Sequence, residues 1–205
     1  MSTALGGKTG ERGARLQAGP LYRFSVKQYL KMIRTGILIL DDKVELLEGV
    51  IVAKMGRDAP HVLVTRLILD ALYRILPAGW FAAKEDPFQT GDSVPEPDCL
   101  VIRGTIRDYA KRHPGTTDLA LVVEIANTSL GRDRGRKRRI YARAGMPFYW
   151  IANLQANQLE VYSDPTGPAD GPAYRQVQIL GPDDEVPVIL DGREVGRIAV
   201  RDLLP

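Results

Sequence analysis

Apolar and polar residues follow a helical period in the first part of the chain. From His61 to Leu76 the apolar positions recur with the 3.6-residue period of an amphipathic helix. A shorter helix is predicted to begin after Ser25, a residue type that caps helices, and to run through Arg34. Between these helices, Lys43 to Met55 is rich in β-branched residues and predicts a strand or a hairpin that turns at Gly49.

The middle of the chain combines apolar runs with one basic helix. Cys99 to Ile102, Leu119 to Ala126 and Phe148 to Ala152 are almost continuously apolar, which is typical of strands covered on both faces. The basic helix is predicted between the last two runs, over about Arg132 to Ala144. Further short strands are predicted over Leu159 to Tyr162, Tyr174 to Leu180 and Val186 to Leu190. This order indicates an α/β fold with a mixed β-sheet core flanked by helices and extra β-hairpins at the C-terminal end.

Length and composition set further bounds on the fold and its location. The 205 residues suffice for one domain that needs neither disulfides nor a structural metal. We expect a flexible tail over 1–20, which lacks hydrophobic periodicity, and a single domain over 21–205. The single cysteine, Cys99, excludes an intramolecular disulfide and is expected to be buried. The sequence has no secretion pattern and no apolar run of roughly 18 residues, so we expect a cytoplasmic protein.

The charge of the chain is concentrated in one segment. The net charge is only +3, from 28 Lys and Arg against 25 Asp and Glu. Residues 131–143 contain seven Lys or Arg and one Asp, a local charge of +6, so the remainder of the chain carries −3. Such a run is either a solvated helix face or a surface that binds a polyanion. The charge alone leaves both interpretations open.

Two acidic residues lie next to or within the predicted apolar strands. Asp98 precedes the run Cys99 to Ile102, and Glu124 lies near the end of the run Leu119 to Ala126. A carboxylate in such a place is costly unless it is paired, hydrogen-bonded or bound to a metal, and either acid alone is more often a cap or an ion-pair partner. Together, two carboxylates on neighbouring strands can hold Mg²⁺, which binds oxygen ligands and keeps several waters.

A lysine on the basic helix completes this candidate site. Asp133, Lys137 and Tyr141 follow one another at intervals of four residues and therefore share a helix face. If that face packs on the sheet, Lys137 delivers its ammonium to the carboxylates and can orient an attacking water. If it faces solvent, Asp133 and Lys137 form an exposed pair of little energetic weight. The spacing favours neither arrangement.

Several segments resemble a known family. VELLEGVIV, PEPDCLVI, the long block LVVEIANTSLGRDRGRKRRIYARAGMPFYWIANL and LEVY are similar to the Uma-type family of restriction-endonuclease-like proteins, a domain family of unknown function in the PD-(D/E)XK nuclease superfamily. The resemblance covers the chain from Leu21 onward. It implies a restriction-endonuclease-like fold in which Asp98 and Glu124 match the two acids of the superfamily. Ala126 stands where the superfamily has its lysine, and the resemblance implies that Lys137 has taken over that position.

The resemblance adds two candidate residues. It implies that Glu45 is a further metal ligand. Residues three apart on a strand face opposite sides, so Glu45 and Glu48 cannot both point inward, and we expect Glu45 to do so because the resemblance falls on it. It also implies a supporting role for His61. The competing interpretation is that His61 is a solvent-exposed residue in the first turn of the helix. Tyr141 is a second supporting candidate, although a core tyrosine with a satisfied hydroxyl fits the pattern equally well.

We therefore expect an endonuclease that depends on Mg²⁺ or Mn²⁺ and hydrolyses DNA. Asp98, Glu124 and Lys137 would be catalytic, with Asp98, Glu124 and Glu45 as metal ligands. The arginines expected to contact backbone phosphates are Arg134, Arg136, Arg138 and Arg139. The alternative is a catalytically inactive nuclease fold that binds nucleic acid or a protein partner. Cutting both strands with one site per chain favours a homodimer, and a third possibility is that the basic helix itself forms the dimer interface.

Overall fold

A computed structural model of the protein describes residues 20–54 and 56–205. The predicted flexible tail over 1–20 lies outside these residues, apart from Pro20. The helices are α1 (Val26–Arg34), α2 (Ala59–Ile75), α3 (Leu130–Arg132) and α4 (Arg138–Arg143), with a π-helical stretch (Asp133–Lys137) joining the last two. The strands are β1 (Val44–Leu47), β2 (Val50–Ala53), β3 (Trp80–Lys84), β4 (Cys99–Arg103), β5 (Leu119–Ala126), β6 (Phe148–Asn153), β7 (Gln158–Pro165), β8 (Tyr174–Leu180), β9 (Glu185–Leu190) and β10 (Arg193–Ala199).

Six of the strands form one mixed sheet. Its order is β3-β4-β5-β6-β7-β8, and β5 and β6 are parallel whereas the other neighbours are antiparallel. The parallel pair needs a crossover connection, which α3, the π-helical stretch and α4 supply. The strands β1 and β2 form a separate hairpin, as do β9 and β10 near the C-terminus. The predicted mixed sheet with flanking helices and C-terminal hairpins is therefore confirmed.

The central strand β5 is covered on both faces, and all eight of its residues are buried. Val123 and Ile125 belong to a core cluster with α2 and the β9-β10 hairpin. Val122 and Ala126 point the other way and pack in a cluster that includes residues of α4 and Leu47 of the β1-β2 hairpin. Burial on both sides explains why this strand is a continuous apolar run and why Glu124 is its one exception.

The helices match their predicted positions closely. Ser25 caps α1 by accepting a hydrogen bond from the backbone N–H of Gln28. Asp58 caps α2 in the same way, with Pro60 in the first turn. The basic helix, meaning residues 130–143 as a whole, begins slightly earlier than predicted and contains a π-helical stretch that the sequence pattern did not indicate. None of the helices in the described ranges is long and apolar enough to cross a membrane.

One strand was missed by the hydrophobic pattern. β10 pairs with β9, but its residues are mostly exposed or half-buried, and its register shifts between Glu194 and Gly196. A bulged strand with little apolar alternation gives no clear signal of period two. Cys99 is buried, as expected for its place in β4.

The β1-β2 hairpin depends on a glycine at its turn. Gly49 has a φ of 75°, and a Cβ atom built there would lie 2.8 Å from the Cβ of Arg23. Gly36 has a similar φ of 73°, and no atom of the part of the chain that the structure describes lies within 4 Å of such a Cβ. The two positions therefore share the conformational cost of a side chain and differ in the steric cost.

We expect Gly49→Ala to lower the free energy of unfolding by about 2 kcal/mol or more, because it adds a backbone clash to left-handed strain. The control Gly36→Ala carries only the strain and should lose about 1 kcal/mol. Urea denaturation of both variants measures the difference. Equal losses would contradict the close approach of residue 23 to the turn.

Candidate active site

Five of the expected site residues, Glu45, His61, Asp98, Glu124 and Lys137, line one pocket at the end of β5, whereas Tyr141 and the four expected phosphate-binding arginines are not among its lining residues. The pocket encloses about 50 Å³, which is room for a few water molecules. Residues from the β1-β2 hairpin, the start of α2, the approach to β4, the end of β5 and the basic helix line it. These residues include Glu45, Lys54, Arg57, Asp58, His61, Glu96, Asp98, Glu124, Arg132, Asp133 and Lys137.

Asp98 is held in place where β4 begins. Its Oδ2 accepts a hydrogen bond of 2.7 Å from the backbone N–H of Ile125, just beyond the last β4-β5 pair, Cys99 and Val123. Its Oδ1 lies 3.2 Å from Nε2 of His61. His61 thus lies in the pocket with a side chain that is only 12% exposed, so the solvent-exposed alternative for this residue was wrong.

Glu124 and Lys137 form a buried ion pair. The Lys137 ammonium lies 2.8 Å from Oε1 of Glu124, and each residue is only 4% exposed. The hydroxyl of Tyr141 donates to the same oxygen at 2.6 Å. The face of the basic helix that carries Lys137 therefore packs on the sheet, and the alternative of an exposed Asp133-Lys137 pair was wrong. The hydroxyl of Tyr141 is satisfied by the candidate site itself.

The π-helical stretch accompanies this inward face. Asp133 and Lys137 are the first and last residues of the stretch, and both are buried. Single π turns are frequent at functional sites, since they change which side chains face inward. Asp133 accepts a hydrogen bond from the Ser129 hydroxyl through Oδ2, whereas its Oδ1 is buried with no hydrogen-bond partner among the described residues.

Glu45 points inward as expected but contacts Lys137. It is 1% exposed, its Oε1 lies 3.6 Å from the Lys137 ammonium, and its Oε2 accepts a hydrogen bond from the backbone N–H of Glu96. Within residues 20–54 and 56–205, no three His, Cys, Asp or Glu side chains are placed to hold one metal ion. Asp98, Glu124 and Glu45 are therefore not grouped as one three-residue metal site in the pocket, where Glu45 lies beside the Lys137 ammonium.

The remaining donors suit a hard divalent cation. Asp98 and Glu124 offer carboxylate oxygens, and Mg²⁺ is commonly bound through one or two carboxylates with water completing its coordination. Asp133 lines the same pocket, and its unpartnered Oδ1 adds buried negative character there. The chemistry of this donor set therefore fits Mg²⁺ or Mn²⁺ with two protein ligands rather than three.

The environment separates the pKa values of the two acids. Burial raises the pKa of Glu124 from 4.5 to about 8, because the charge of Lys137 offsets it only in part and Asp133, Asp98 and Glu45 repel a further negative charge. Burial also acts to raise the pKa of Asp98, but the hydrogen bond and charge of His61 hold it below its usual range. Burial acts to lower the pKa of Lys137, yet the surrounding carboxylates raise it above its usual range. Lys137 is therefore charged throughout the physiological range, and one acid of the pair is ionised before the other.

Three of the four arginines expected to bind phosphate have acidic partners within the protein. Arg134 forms a bidentate pair with Glu160, a buried residue of β7. Arg136 and Arg139 both pair with Glu48, at 3.4 and 2.7 Å. These partners come from distant strands and turns, so the local charge of +6 overstated the free positive charge of the helix.

Arg138 differs from these three arginines in its contact. Its guanidinium lies 5.7 Å from the centre of the Tyr162 ring, in a cation-π arrangement. This contact leaves its charge available to an anion, because an aromatic ring does not neutralise it.

Other basic residues near the pocket were not predicted. Lys54, Arg57 and Arg132 line it, and Arg132 also donates to the backbone carbonyl of Ala53. Arg132 stood within the basic run but carried no distinguishing signal. Lys54 and Arg57 lie in an irregular segment, where no periodicity indicates the direction of a side chain. Asp58, two residues before Pro60, could have been recognised from sequence as a helix cap.

Comparisons with known proteins agree with this architecture. A family model, Uma2, described as "Putative restriction endonuclease", matches residues 26–200. A solved structure described as a "putative nuclease belonging to DUF820" from Anabaena variabilis superimposes with a TM-score of 0.65 at 16% identity, over 88% of this chain and 97% of that chain. That likeness shows a shared fold. The comparison with curated proteins gave no match.

Glu124→Gln should change the pH dependence of stability in a defined direction. The pKa of Glu124 is higher in the folded state, so its protonated form adds stability fully below about pH 4.5, and this contribution is lost as the pH rises to about 8. The wild type therefore loses stability relative to the variant as the pH rises from about 5 to 8. The difference, variant minus wild type, in the free energy of unfolding should rise by at most about 1.4 kcal/mol per pH unit over this range and then level off.

Urea denaturation in buffer with EDTA measures this difference. Glu194→Gln is a matched control, because Glu194 pairs with Arg197 on the surface and is 42% exposed. The difference between Glu194→Gln and the wild type in the free energy of unfolding should stay constant over the same pH range. A flat difference for Glu124→Gln as well would mean that Glu124 is ionised across the range.

Proposed function

The chain belongs to the Uma2 family of restriction-endonuclease-like proteins, and from this premise we propose that it is a metal-dependent endonuclease that hydrolyses DNA phosphodiester bonds. The family resemblance expected from the sequence is confirmed by the match over residues 26–200. One observation carries the proposal: Asp98, Glu124 and Lys137, which come from three separate elements, line a single pocket. Two carboxylates and an ammonium at one place are the groups that such a hydrolysis needs.

In this proposal Asp98 and Glu124 hold Mg²⁺ or Mn²⁺. A bound cation would supply positive charge beside the scissile phosphate and lower the pKa of a bound water. Lys137 donates a hydrogen bond that orients the attacking water or a phosphate oxygen, in addition to its bond to Glu124. Its burial excludes bulk water from the ammonium, which strengthens that interaction.

Two further residues fix the orientation of the acids. Tyr141 donates to Glu124, and its ring packs in the core against Tyr149 at 4.9 Å between ring centres. His61 contacts Asp98 from the first turn of α2. Each acid is thus held by a side chain from an element packed on the sheet, and a site held in this way needs little rearrangement before reaction.

Backbone phosphates would be bound at the edge of this pocket. Within residues 20–54 and 56–205 Arg138 has no acidic partner, while Arg134, Arg136 and Arg139 would have to share donors with Glu160 and Glu48. Arg57 and Arg132 line the pocket, and Arg57 would have to share its donors with Glu85. Phosphate contacts of this kind are independent of sequence, and binding through them weakens as salt is added.

Incubation of supercoiled plasmid with the wild type and Mg²⁺ or Mn²⁺ tests the proposal. We expect nicking or cleavage, and a loss of about 100-fold or more in rate for Asp98→Asn, Glu124→Gln and Lys137→Gln. Glu194→Gln should cleave like the wild type. Thermal denaturation of each variant checks that it is folded.

Absence of cleavage by the folded wild type would refute an endonuclease acting on this substrate. Retained plasmid binding with no cleavage would support the alternative, a nuclease fold that binds nucleic acid without chemistry. Equal rates for all variants would instead assign the activity to another site or to a contaminant.

A homodimer built through the edge strand β8 fits a nuclease that cuts both strands. β8 has no neighbour on its outer side within the described sheet, and Val177 and Ile179 are about half exposed. The opposite edge strand is β3, and there the hydroxyl of Tyr73 from α2 donates to the carbonyl of Ala82. For this reason we place the interface at β8 rather than at β3. Antiparallel pairing of β8 with its own copy around Val177 would place Arg175 opposite Ile179 and so avoid a clash of like charges.

Val177→Lys should therefore convert a dimer into a monomer, because lysine on an edge strand opposes pairing. Light scattering during size-exclusion chromatography measures the mass. Ile106→Lys, at another exposed apolar residue that lies outside the sheet, should keep the dimer mass. A monomeric wild type at all concentrations would rule this interface out.

A further inference from the structure

A second groove adjoins the candidate active site. It encloses about 540 Å³, and Lys54, Gly56, Arg57 and Glu96 line both it and the catalytic pocket. The groove is therefore adjacent to the place where a scissile phosphate would lie in the proposed function. Its size falls within the range of roughly 300 to 1,000 Å³ that is typical of small-molecule sites, so a single nucleotide can be accommodated. We call this space the side groove.

Part of the lining of the side groove is apolar and open to solvent. It includes Ile33 near the end of α1 and Ile39 beyond it, which are 43% and 57% exposed. Tyr29 also lines the groove and is almost completely buried. Two exposed isoleucines that face one concave space form a surface on which a flat apolar ring can pack.

The rest of the lining is charged and is partly shared with the catalytic pocket. Lys54 forms an ion pair with Glu96, and Arg57 forms one with Glu85 at 2.6 Å, and these two acids also line the groove. Lys43 adds a further positive charge, so the cations exceed the acids by one. A lining with both apolar and cationic side chains matches the two parts of a nucleotide, namely its base and its phosphate.

We propose that the side groove binds the base of an unpaired nucleotide adjacent to the scissile phosphate. The identity of the ligand rests on the proposed nuclease function. A base inside a stacked duplex cannot present its face to a protein wall, so the groove requires a single strand or a locally unpaired one. The substrate class is therefore DNA with unpaired nucleotides rather than uninterrupted duplex.

Binding without catalysis tests this proposal. Fluorescence anisotropy in EDTA compares a labelled single-stranded oligodeoxynucleotide with the same strand in a blunt duplex. We expect the wild type to bind the single strand more tightly, and Ile33→Ser/Ile39→Ser to weaken that binding by about tenfold, because apolar contact area is lost without a change of charge. Binding of the duplex should be unchanged.

Ile106→Ser is the matched control, since Ile106 is 76% exposed and lies outside the side groove. It should bind both oligonucleotides like the wild type, and thermal denaturation confirms that the variants are folded. Equal wild-type affinity for single strand and duplex, or single-strand binding by Ile33→Ser/Ile39→Ser at wild-type strength, would overturn the proposal.

This test separates the side groove from the catalytic proposal. If plasmid is cleaved while the binding pattern is absent, the side-groove proposal fails and the nuclease proposal stands. If neither plasmid nor single-stranded DNA is cleaved with Mg²⁺ or Mn²⁺ while the binding pattern is present, the groove is a nucleotide site and the endonuclease proposal fails.

Discussion

A lysine ammonium removed from water must be surrounded by acceptors, and in this protein Lys137 imposes that requirement on four parts of the chain. Glu124 of β5 and Glu45 of β1 lie at 2.8 and 3.6 Å from it. The π-helical stretch ends at Lys137, and Tyr141 one turn later shares its carboxylate partner. Removing one member of such a buried group leaves an uncompensated charge, so these elements are fixed relative to one another by electrostatics as well as by packing.

Residues around the site are also held together by pairs of opposite charge. Glu48 at the turn of the β1-β2 hairpin binds Arg136, Arg139 and Arg143 of the basic helix. Glu160 in β7 is buried; burial alone would raise its pKa, but hydrogen bonds from Arg134, Tyr162 and Asn153 hold it below the usual range. Much of the charge of the basic helix thus joins the hairpin and the sheet to the helix. Less of this charge is free for a polyanion than the composition implied.

The two acids of the pocket are chemically unequal, although they are close in the fold. Asp98 is held in its ionised form by His61, whereas burial and neighbouring acids favour the protonated form of Glu124 up to about pH 8. A divalent cation between them would favour ionisation of both, since it adds the positive charge that Lys137 alone does not supply. This asymmetry of the two acids connects the pH dependence of stability with the chemistry proposed for the pocket.

The sequence by itself determined the order of elements, the core strands and the acids that interrupt them, because those features depend on local periodicity and on the cost of a charge in an apolar run. It also indicated that Asp133, Lys137 and Tyr141 share one helix face. Only the tertiary structure decided that this face is buried, that Glu45 serves Lys137, and that Arg134, Arg136 and Arg139 have partners in Glu160 and Glu48. Those outcomes depend on which residues meet across separations of up to about ninety positions, such as Glu48 and Arg139, and no local pattern records such meetings.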